Sequence, residues 1–377
     1  MKITGYEAIC NLGNNINSIY KKAIVGDITC FDYSKDIIKN KTVRIGQIKC
    51  ELPKIKDCNF NLRCNRLILK NLELLKNDIS ALYKKYSKNK IGIIVATTNT
   101  GVSEYEQSKN KIHSELGNPS NFIKKILDLK GFNTTLSTAC SSGIKAFILA
   151  DELLNSNVSD CVIIACVDTL SKVPVFGFNS LEVLSDKPSL PFSKNRMGMN
   201  IAEASSIFIL EKESDFGIKI LGLAESSDIY HPTTPDPNAI EAIKAIKSAL
   251  KIANIKANEI DYINAHGTGT IANDIMEAKA IYSVFSDNVP VSSTKPTTGH
   301  CLGAGGGIET ALCAKLLDSF DGRLYPNIYD EEFDNNLDKI NLVQKDKIYS
   351  RCKIIMNNSF GFGGSNAIMI MGKNDEK

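Results

Sequence analysis

The sequence lacks the marks of membrane, exported and disulfide-bonded proteins. No apolar run approaches the ~18 uninterrupted residues of a membrane-spanning helix, because charged or amide residues interrupt even the strongest segments. The N-terminus has no basic segment followed by an apolar stretch and a small-residue cleavage site, so we expect a cytoplasmic protein. Eleven cysteines occur without paired spacing and are expected to be reduced thiols.

Histidine is scarce, with four in 377 residues, and aromatic residues make up only 7%. Zinc-finger spacing, basic heptads and aromatic-rich RNA-binding motifs are missing, so nucleic acid is not the expected partner. The content of 43% apolar and 23% charged residues is that of a globular protein with one extended core or two fused ones. In residues 1–90, 18 Lys and Arg stand against 8 Asp and Glu, which favours an acidic protein partner.

Segments of the first half of the chain are echoed in the same order in the second half. The pairs are KITGYEAI with KILGLAES, IGIIVATTNTG with IDYINAHGTG, SSGIKAFILADELL with GGGIETALCAKLLD, and CVIIACVDTL with CKIIMNNSFG. Strand-like and helix-like segments alternate in both, which predicts two homologous α/β halves, residues 1–217 and 218–377, with mixed or mainly parallel sheets covered by helices. Because no low-complexity linker separates them, the halves should pack as one body.

Cys140 lies between the β-favouring stretch NTTLST and a segment with helical apolar spacing. At a helix N-terminus, free backbone N–H groups and the helix dipole should stabilise a thiolate and lower the pKa of this cysteine. The small residues SSG that follow would let a substrate approach the sulfur. We therefore predict a catalytic nucleophile, and a buried cysteine that merely packs is the alternative.

His266 and His300 lie in turns rich in glycine and threonine, NAHGTGT and TKPTTGHCLGAGGG. Each turn follows strand-like sequence and precedes a helix, whereas a core histidine usually sits within an apolar periodic run. Zinc is not expected, because zinc sites usually supply two ligands a few residues apart and the chain has neither CxxC nor HxxxH. A thiol with two imidazoles suits covalent acyl chemistry.

A glycine-rich segment, NNSFGFGGSNA at 357–367, follows the strand-like CKII. Its aromatic residues Phe360 and Phe362 are poor companions for a polyanion, and no GK[ST] follows, so a phosphate loop is disfavoured. We predict a loop that provides apolar gating beside the active site.

Together these motifs resemble those of the β-ketoacyl-acyl-carrier-protein synthases, the elongating condensing enzymes of the thiolase-like superfamily. STACSSG around Cys140 resembles the nucleophile motif, NAHGTGT around His266 the first histidine motif, and STKPTTGHCLGAGG the motif that carries Lys295 and His300. NNSFGFGGSN resembles the closing loop of the active site. The motifs stand in the family order.

The resemblance implies an α/β fold, the thiolase-like duplicated αβαβα five-layer sandwich, normally a homodimer. It also implies that Cys140 takes an acyl group from the phosphopantetheine arm of an acyl carrier protein, with backbone N–H groups of Cys140 and Phe362 as the oxyanion hole. His266 and His300 would stabilise the enolate left when malonyl-carrier loses carbon dioxide. The implied cofactor is none, because the phosphopantetheine arm belongs to the substrate.

Further roles follow from the same resemblance. Lys295 and Glu309 are implied to organise the site electrostatically, and Phe362 to separate acyl entry from malonyl entry. The implied substrate-binding residues are Thr268, Thr270, Thr233 and Phe360.

A carrier-docking face is expected on the predicted helix at 61–86. Arg63, Arg66 and Lys70 stand there at i, i+3 and i+7, in a region where the family docks its acidic carrier protein. A merely solvated basic face is the alternative.

Two departures from the family pattern favour a specialised ketosynthase as the alternative to fatty-acid elongation. Ser193, Asn195 and Met197 stand where acidic residues are common, and the positions where glycines are usual hold Ala202, Ala204 and Ser206. The chain is also shorter than typical members, mainly before residue 90. Such an enzyme would serve a polyketide or aryl-polyene type of pathway and could form a heterodimer with a homologous subunit.

Three other classes fit less well. A non-catalytic chain-length factor usually lacks the cysteine. A thiolase would need a second cysteine in the C-terminal glycine-rich segment, where this chain has Phe360 and Phe362. An initiating synthase that uses acyl-CoA would commonly pair one histidine with an asparagine.

Overall fold

The structure is a computed structural model that describes residues 1–373, so residues 374–377 of the predicted second half lie outside the described residues. The strands are β1 Lys2–Cys10, β2 Asp32–Ser34, β3 Val43–Gly46, β4 Ile91–Ala96, β5 Asn133–Leu136, β6 Cys161–Asp168, β7 Ile201–Ala202, β8 Ala204–Glu211, β9 Ile218–Ser227, β10 Tyr262–Asn264, β11 Pro290–Ser292, β12 Asn341–Leu342, β13 Ile354–Gly361 and β14 Ser365–Gly372. The helices are α1 Ile16–Ala23, α2 Arg63–Leu74, α3 Lys76–Lys85, α4 Val102–Ser108, α5 Asn118–Ile126, α6 Ser142–Asn155, α7 Lys172–Ser180, α8 Ile240–Ala253, α9 Ile271–Phe285, α10 Lys295–Thr298 and α11 Gly305–Ser319. Short 3₁₀ helices cover Lys111–Ser114, Ala257–Glu259 and Leu302–Ala304.

Eleven strands form one sheet in the order β12-β11-β10-β13-β14-β9-β1-β8-β6-β4-β5, and β2, β3 and β7 form a small second sheet. The antiparallel pair of β1 and β9 joins the two parts of the large sheet. The strands on the two sides of this pair follow the same plan, in the order β1-β8-β6-β4-β5 on one side and β9-β14-β13-β10-β11 on the other. In both parts the inner neighbours pair antiparallel and the outer ones parallel. The predicted boundary at 217/218 falls immediately before β9, and the homology of the two halves stays a prediction.

The layers follow from the alternation of side chains along buried strands. All residues of β6 are buried, as expected of a strand covered on both faces. Ile164 and its neighbours on one face pack with α6 and α11, whereas Ile163 on the other face packs with α2, α3 and α5. In the second half, α8 and α9 cover the outer face. The order helix, sheet, helix, sheet, helix confirms the predicted thiolase-like five-layer sandwich.

The central layer depends on the close crossing of α6 and α11. A Cβ built on Gly143 of α6 would lie 2.5 Å from the backbone nitrogen of Gly307 in α11, so only glycine allows the two backbones to approach this closely. The crossing brings together the segments that precede the two helices, which carry Cys140 and His300.

The structure differs from two local predictions. The predicted helix at 61–86 is two helices, α2 and α3, separated at Leu75. The predicted loop at 357–367 is wrong, because β13 continues to Gly361 and only residues 362–364 form the turn into β14. The polar residues of this segment are buried in the strand and bonded to other elements; the Asn264 amide of β10, for example, donates to Asn357 Oδ1 at 3.0 Å.

Within residues 1–373, none of the helices is long and apolar enough to cross a membrane.

Candidate active site

Cys140 lies in a strained turn between β5 and α6. Ala139, just before it, has a φ of +52°, a left-handed conformation that is unfavourable for a residue with a Cβ. Ser142 Oγ accepts a hydrogen bond from the Thr138 N–H at 2.8 Å and donates one to the Ala139 carbonyl at 2.6 Å. Ser359 Oγ in β13 donates to the Cys140 carbonyl at 2.8 Å. These bonds hold the sulfur at the N-terminal end of α6.

The three predicted catalytic residues meet in one buried cluster. Cys140 Sγ and one ring nitrogen each from His266 and His300 lie within 4.8 Å of one another. The two imidazole rings are edge to face, with centroids 5.6 Å apart. Side chains that are far apart in sequence thus surround a single point.

His266 is held by two buried carboxylates. The backbone N–H groups of His266 and Gly267 donate to Glu277 at 2.7 and 2.6 Å. Its Nδ1 lies 3.2 Å from Lys295 Nζ, and that ammonium pairs with Glu309 at 2.5 Å. Because an ammonium only donates, Nδ1 of His266 is the acceptor and Nε2 carries the proton.

His300 has the same tautomer for a different reason. The N–H of Leu302 donates to His300 Nδ1 at 3.1 Å, so the ring proton is on Nε2. Burial and the neighbouring Lys295 charge lower the pKa of His300 to about 3 and hold the pKa of His266 well below its usual 6.5. The site therefore presents two neutral imidazoles, each with an Nε2–H donor, as the predicted role requires.

The state of the nucleophile differs from the prediction. Burial raises the pKa of the Cys140 thiol from 9.0 to about 11, although Lys295 and a hydrogen bond from the Phe362 N–H both favour the thiolate. The prediction of a lowered pKa is wrong because burial outweighs the effect of the helix N-terminus. The sequence indicates where α6 begins, but it does not show how deeply Cys140 is buried. The resting enzyme therefore holds a thiol at neutral pH.

A cavity of about 480 Å³ opens in front of the cluster. The substrate-binding residues predicted from the resemblance all line it, namely Thr268, Thr270, Thr233 and Phe360, and so does the predicted gating residue Phe362. The Thr268 and Thr270 hydroxyls are 2.8 Å apart and bonded to each other. The ring of Phe360 lies edge to face with His266, with centroids 6.1 Å apart. The predicted supporting pair, Lys295 and Glu309, lies behind His266.

Phe178 of α7 is a cavity residue to which no motif pointed. Its ring centroid lies 5.5 Å from that of Phe362 and 6.0 Å from that of His300. In the sequence it is marked only as an aromatic residue, a property that it shares with Phe176 of the same helix. Phe178 joins the predicted gating residue to one of the two histidines.

Two arginines of the predicted carrier-docking face make hydrogen bonds within the chain. The Arg63 guanidinium donates to buried Glu203 at 2.9 Å and to the Ile48 carbonyl at 2.9 Å. The Arg66 guanidinium donates to the carbonyls of Pro53 and Leu52 at 2.9 and 3.0 Å. These bonds engage both guanidinium groups within the chain but do not test docking, so the carrier-docking role of Arg63 and Arg66 stays a prediction. The same holds for Lys70, which is half-buried.

The same three side chains are close enough to hold a metal ion. The hydrogen bonds argue against that use, because a metal ligated at Nε2 would require the proton on Nδ1. In His300 that proton would face the Leu302 N–H, and in His266 it would face the Lys295 ammonium. The donor set fits hydrogen bonding to a developing oxyanion better than metal ligation.

Comparison with known proteins identifies the family. Residues 68–215 match the β-ketoacyl synthase N-terminal domain and residues 218–326 match the C-terminal domain. The chain is 34% identical to 3-oxoacyl-[acyl-carrier-protein] synthase 2 of Coxiella burnetii over 263 residues, which span 65% of this chain and 63% of that protein. It is 30% identical to the protein of that name from Synechocystis sp. over 98% of this chain and 97% of that one.

Solved structures agree with this assignment. A chain of the complex of the ketosynthase ApeO with its chain length factor ApeC from Xenorhabdus doucetiae superposes with a TM-score of 0.93 at 35% identity, covering 99% of this chain and 98% of that one. The β-ketoacyl synthase of Burkholderia phymatum superposes with a TM-score of 0.88 at 23% identity over 99% of this chain and 100% of that one, which supports the fold. The chain therefore belongs to the β-ketoacyl synthase family of acyl-transferring condensing enzymes.

Proposed function

We propose that this protein is a β-ketoacyl-acyl-carrier-protein synthase that joins malonyl-carrier to an acyl group held on Cys140, with loss of carbon dioxide. The observation that carries the proposal is the meeting of a buried thiol with two neutral imidazole N–H donors within 4.8 Å. A thiol can hold an acyl group, and paired donors can stabilise the oxyanion of an enolate.

In the first step Cys140 Sγ attacks the thioester of the acyl-carrier. The bond between the acyl carbon and the carrier sulfur breaks, and the thiol proton of Cys140 leaves with the carrier thiol. The N–H of Phe362 already points at Cys140 Sγ, and with the N–H of Cys140 it would bind the oxygen of the tetrahedral intermediate. Because the Cys140 thiol is protonated at rest, its proton can pass to the departing carrier sulfur, and the step needs no outside base.

In the second step malonyl-carrier loses carbon dioxide and leaves an enolate at its thioester. The Nε2–H groups of His266 and His300 would donate to the enolate oxygen, and their low pKa values keep them neutral donors during the reaction. The enolate carbon then attacks the acyl group on Cys140, and the carbon–sulfur bond breaks. The product is a β-ketoacyl-carrier longer by two carbons, and the Cys140 thiolate takes up a proton.

Partners and surroundings belong to the same proposal. The protein would act on an acyl carrier protein and pair with a second subunit of the same fold, either its own copy or a homologue. The likeness to a chain from the ApeO and ApeC complex supports the homologous partner and a specialised chain-elongation pathway. Residence in the cytoplasm is supported by the eleven cysteines, none of which forms a disulfide in the described chain. We expect no cofactor, because the phosphopantetheine arm is part of the substrate.

Intact mass spectrometry tests the proposed nucleophile. Wild-type protein given acyl-carrier should gain the acyl mass, and subsequent malonyl-carrier should remove that mass and release carbon dioxide. Cys140→Ala should gain none, whereas Cys58→Ala, at an exposed cysteine, should behave as wild type. An adduct of equal yield on Cys140→Ala would exclude the assigned nucleophile.

A further inference from the structure

Asp168 is a fully buried carboxylate that the condensation steps do not use. It ends β6, and five hydrogen-bond donors surround it. Its Oδ1 accepts from Thr97 Oγ1 at 2.8 Å, the Thr98 N–H at 2.8 Å and the Asn99 N–H at 3.1 Å. Its Oδ2 accepts from Thr98 Oγ1 at 2.7 Å and the Gly303 N–H at 2.7 Å. The carboxylate thus ties the end of β4 to the segment that follows His300.

The bond to Gly303 holds a strained turn in place. Leu302 has a φ of +54°, which a residue with a branched side chain does not adopt without support from its surroundings. The N–H of Leu302 is the one that donates to His300 Nδ1. The next N–H, that of Gly303, points to Asp168. Two successive N–H groups are therefore fixed, one by the histidine ring and one by the carboxylate.

The fit around Gly303 is tight. A Cβ at this position would lie 2.8 Å from Thr98 Cγ2 and 2.9 Å from Asp168 Oδ2. The glycine is needed for the N–H to reach the carboxylate, so the bond depends on both residues.

We propose that Asp168 is a positioning residue for the condensation. By holding the Gly303 N–H, it keeps the Leu302 N–H on His300 Nδ1, which keeps the ring proton on Nε2, where the enolate oxygen would bind. Asp168 itself touches no reacting atom. The inference rests on the proposed function for the donor role of His300, but the tautomer it predicts exists with or without substrate.

Asp168→Asn is the sharpest variant for this idea. Its amide oxygen can replace Oδ1, which accepts two backbone N–H groups, and the amide nitrogen then replaces Oδ2. The Thr98 hydroxyl can rotate to accept from that nitrogen, whereas the Gly303 N–H would face another donor. Thr98→Val is the matched control, because it removes a bond to the same carboxylate and leaves the Gly303 N–H bonded. Gly303→Ala perturbs the same bond with the carboxylate intact.

The readout is the tautomer of His300, from the ¹⁵N spectrum of protein labelled on histidine. Four histidines give a simple spectrum, and His300→Gln assigns the signal. We expect the Nε2–H form in wild type and Thr98→Val, and a shift toward Nδ1–H in Asp168→Asn and Gly303→Ala. In those two variants condensation should fall on the order of 10²-fold in kcat with the KM for malonyl-carrier little changed, whereas acylation of Cys140 stays close to wild type.

A purely structural role would give a different result. If Asp168→Asn and Gly303→Ala lose stability or activity while the His300 signal stays that of Nε2–H, the positioning role is overturned. An Nδ1–H signal in wild type would overturn it without any variant. If the tautomer shifts as expected but wild-type protein does not condense acyl and malonyl groups, the inference stands and the proposed function fails.

Discussion

At the scale of single residues, the two histidines differ in how they hold the same tautomer. The side-chain ammonium of Lys295 fixes the tautomer of His266, whereas the backbone N–H of Leu302 fixes the tautomer of His300. Side-chain substitution at Lys295 therefore reaches His266 directly and acts on His300 only through charge. Both rings are kept neutral by burial, so neither depends on solution pH in the range where most enzymes work.

We predict that His266→Ala acylates Cys140 but condenses poorly. Loss of one oxyanion donor typically costs ~3–4 kcal/mol, or on the order of 10²–10³ in rate. Acyl transfer and carbon dioxide release can be measured separately, by intact mass and by trapping of the gas. His113→Ala is the control, since His113 lies in the 3₁₀ helix Lys111–Ser114 away from the cavity. Full condensation by His266→Ala would remove the proposed donor role.

The raised pKa of Cys140 predicts an unusual pH dependence of alkylation. Below its pKa of about 11 the thiolate fraction should rise about tenfold per pH unit, so the rate of reaction with iodoacetamide should still increase between pH 9 and 10. A free cysteine, with a pKa of ~8.5, would already level off. Lys295→Met removes a charge that favours the thiolate and should slow alkylation further. A plateau below pH 9 in wild type, read by mass spectrometry at Cys140, would contradict the buried-thiol picture.

At the scale of elements, the crossing of α6 and α11 allows the site to form, and it predicts a stability difference between two helical glycines. Gly143→Ala would force a Cβ to within 2.5 Å of the Gly307 backbone nitrogen, and such overpacking typically costs ~1–3 kcal/mol. Gly177→Ala in α7 meets no atom within 4 Å and should stabilise its helix by ~0.5–1 kcal/mol. Urea unfolding followed by circular dichroism measures both. Equal stability of the two variants would mean that the helices do not cross as described.

The ion pair between Arg63 of α2 and buried Glu203 leads to a second prediction about stability. Arg63→Met leaves Glu203 buried without its ion-pair partner and should lower the free energy of unfolding by up to about 3 kcal/mol. Lys70→Met, on the same helix, breaks no ion pair seen within the described chain and should cost little. If instead Arg63→Met keeps its stability and raises the KM for the carrier, Arg63 belongs to the carrier-docking face that the sequence predicts.

At the scale of the whole molecule, the sequence predicted what depends on local pattern and not what depends on distant partners. Cys140, His266 and His300 stand out because their turns are rich in small residues. The alternation of strands and helices predicts sheets covered by helices, and the resemblance to the family implies the five layers. The raised pKa of Cys140 depends on burial beneath distant segments. The use of Arg63 depends on Glu203, and the role of Asp168 on Gly303, residues that no local pattern connects.

Residue pairs of this kind also explain why the polar sequence of the buried strand β13 predicts a loop. Asn357 in β13 reads as a turn former, yet its amide group is bonded to Asn264 in β10 and to Thr310 in α11. A strand can contain such residues only where another element supplies the partners. The misplaced loop at 357–367 is therefore a tertiary effect.

The two halves share their central layer, and this predicts that they unfold together. Cys166 in β6 and Cys313 in α11 belong to the same buried cluster, although one lies in each half. Breaking the second half away would expose the inner face of the first, so neither half keeps a complete core alone. Brief alkylation at increasing urea, read cysteine by cysteine, should give one midpoint for both. Exposed Cys58 should react throughout and serve as the control. Reaction of Cys313 at clearly lower urea than Cys166 would show that the halves unfold separately. The cluster of Cys140, His266 and His300 would then come apart when only one half unfolds, because the thiol belongs to the first half and the imidazoles to the second.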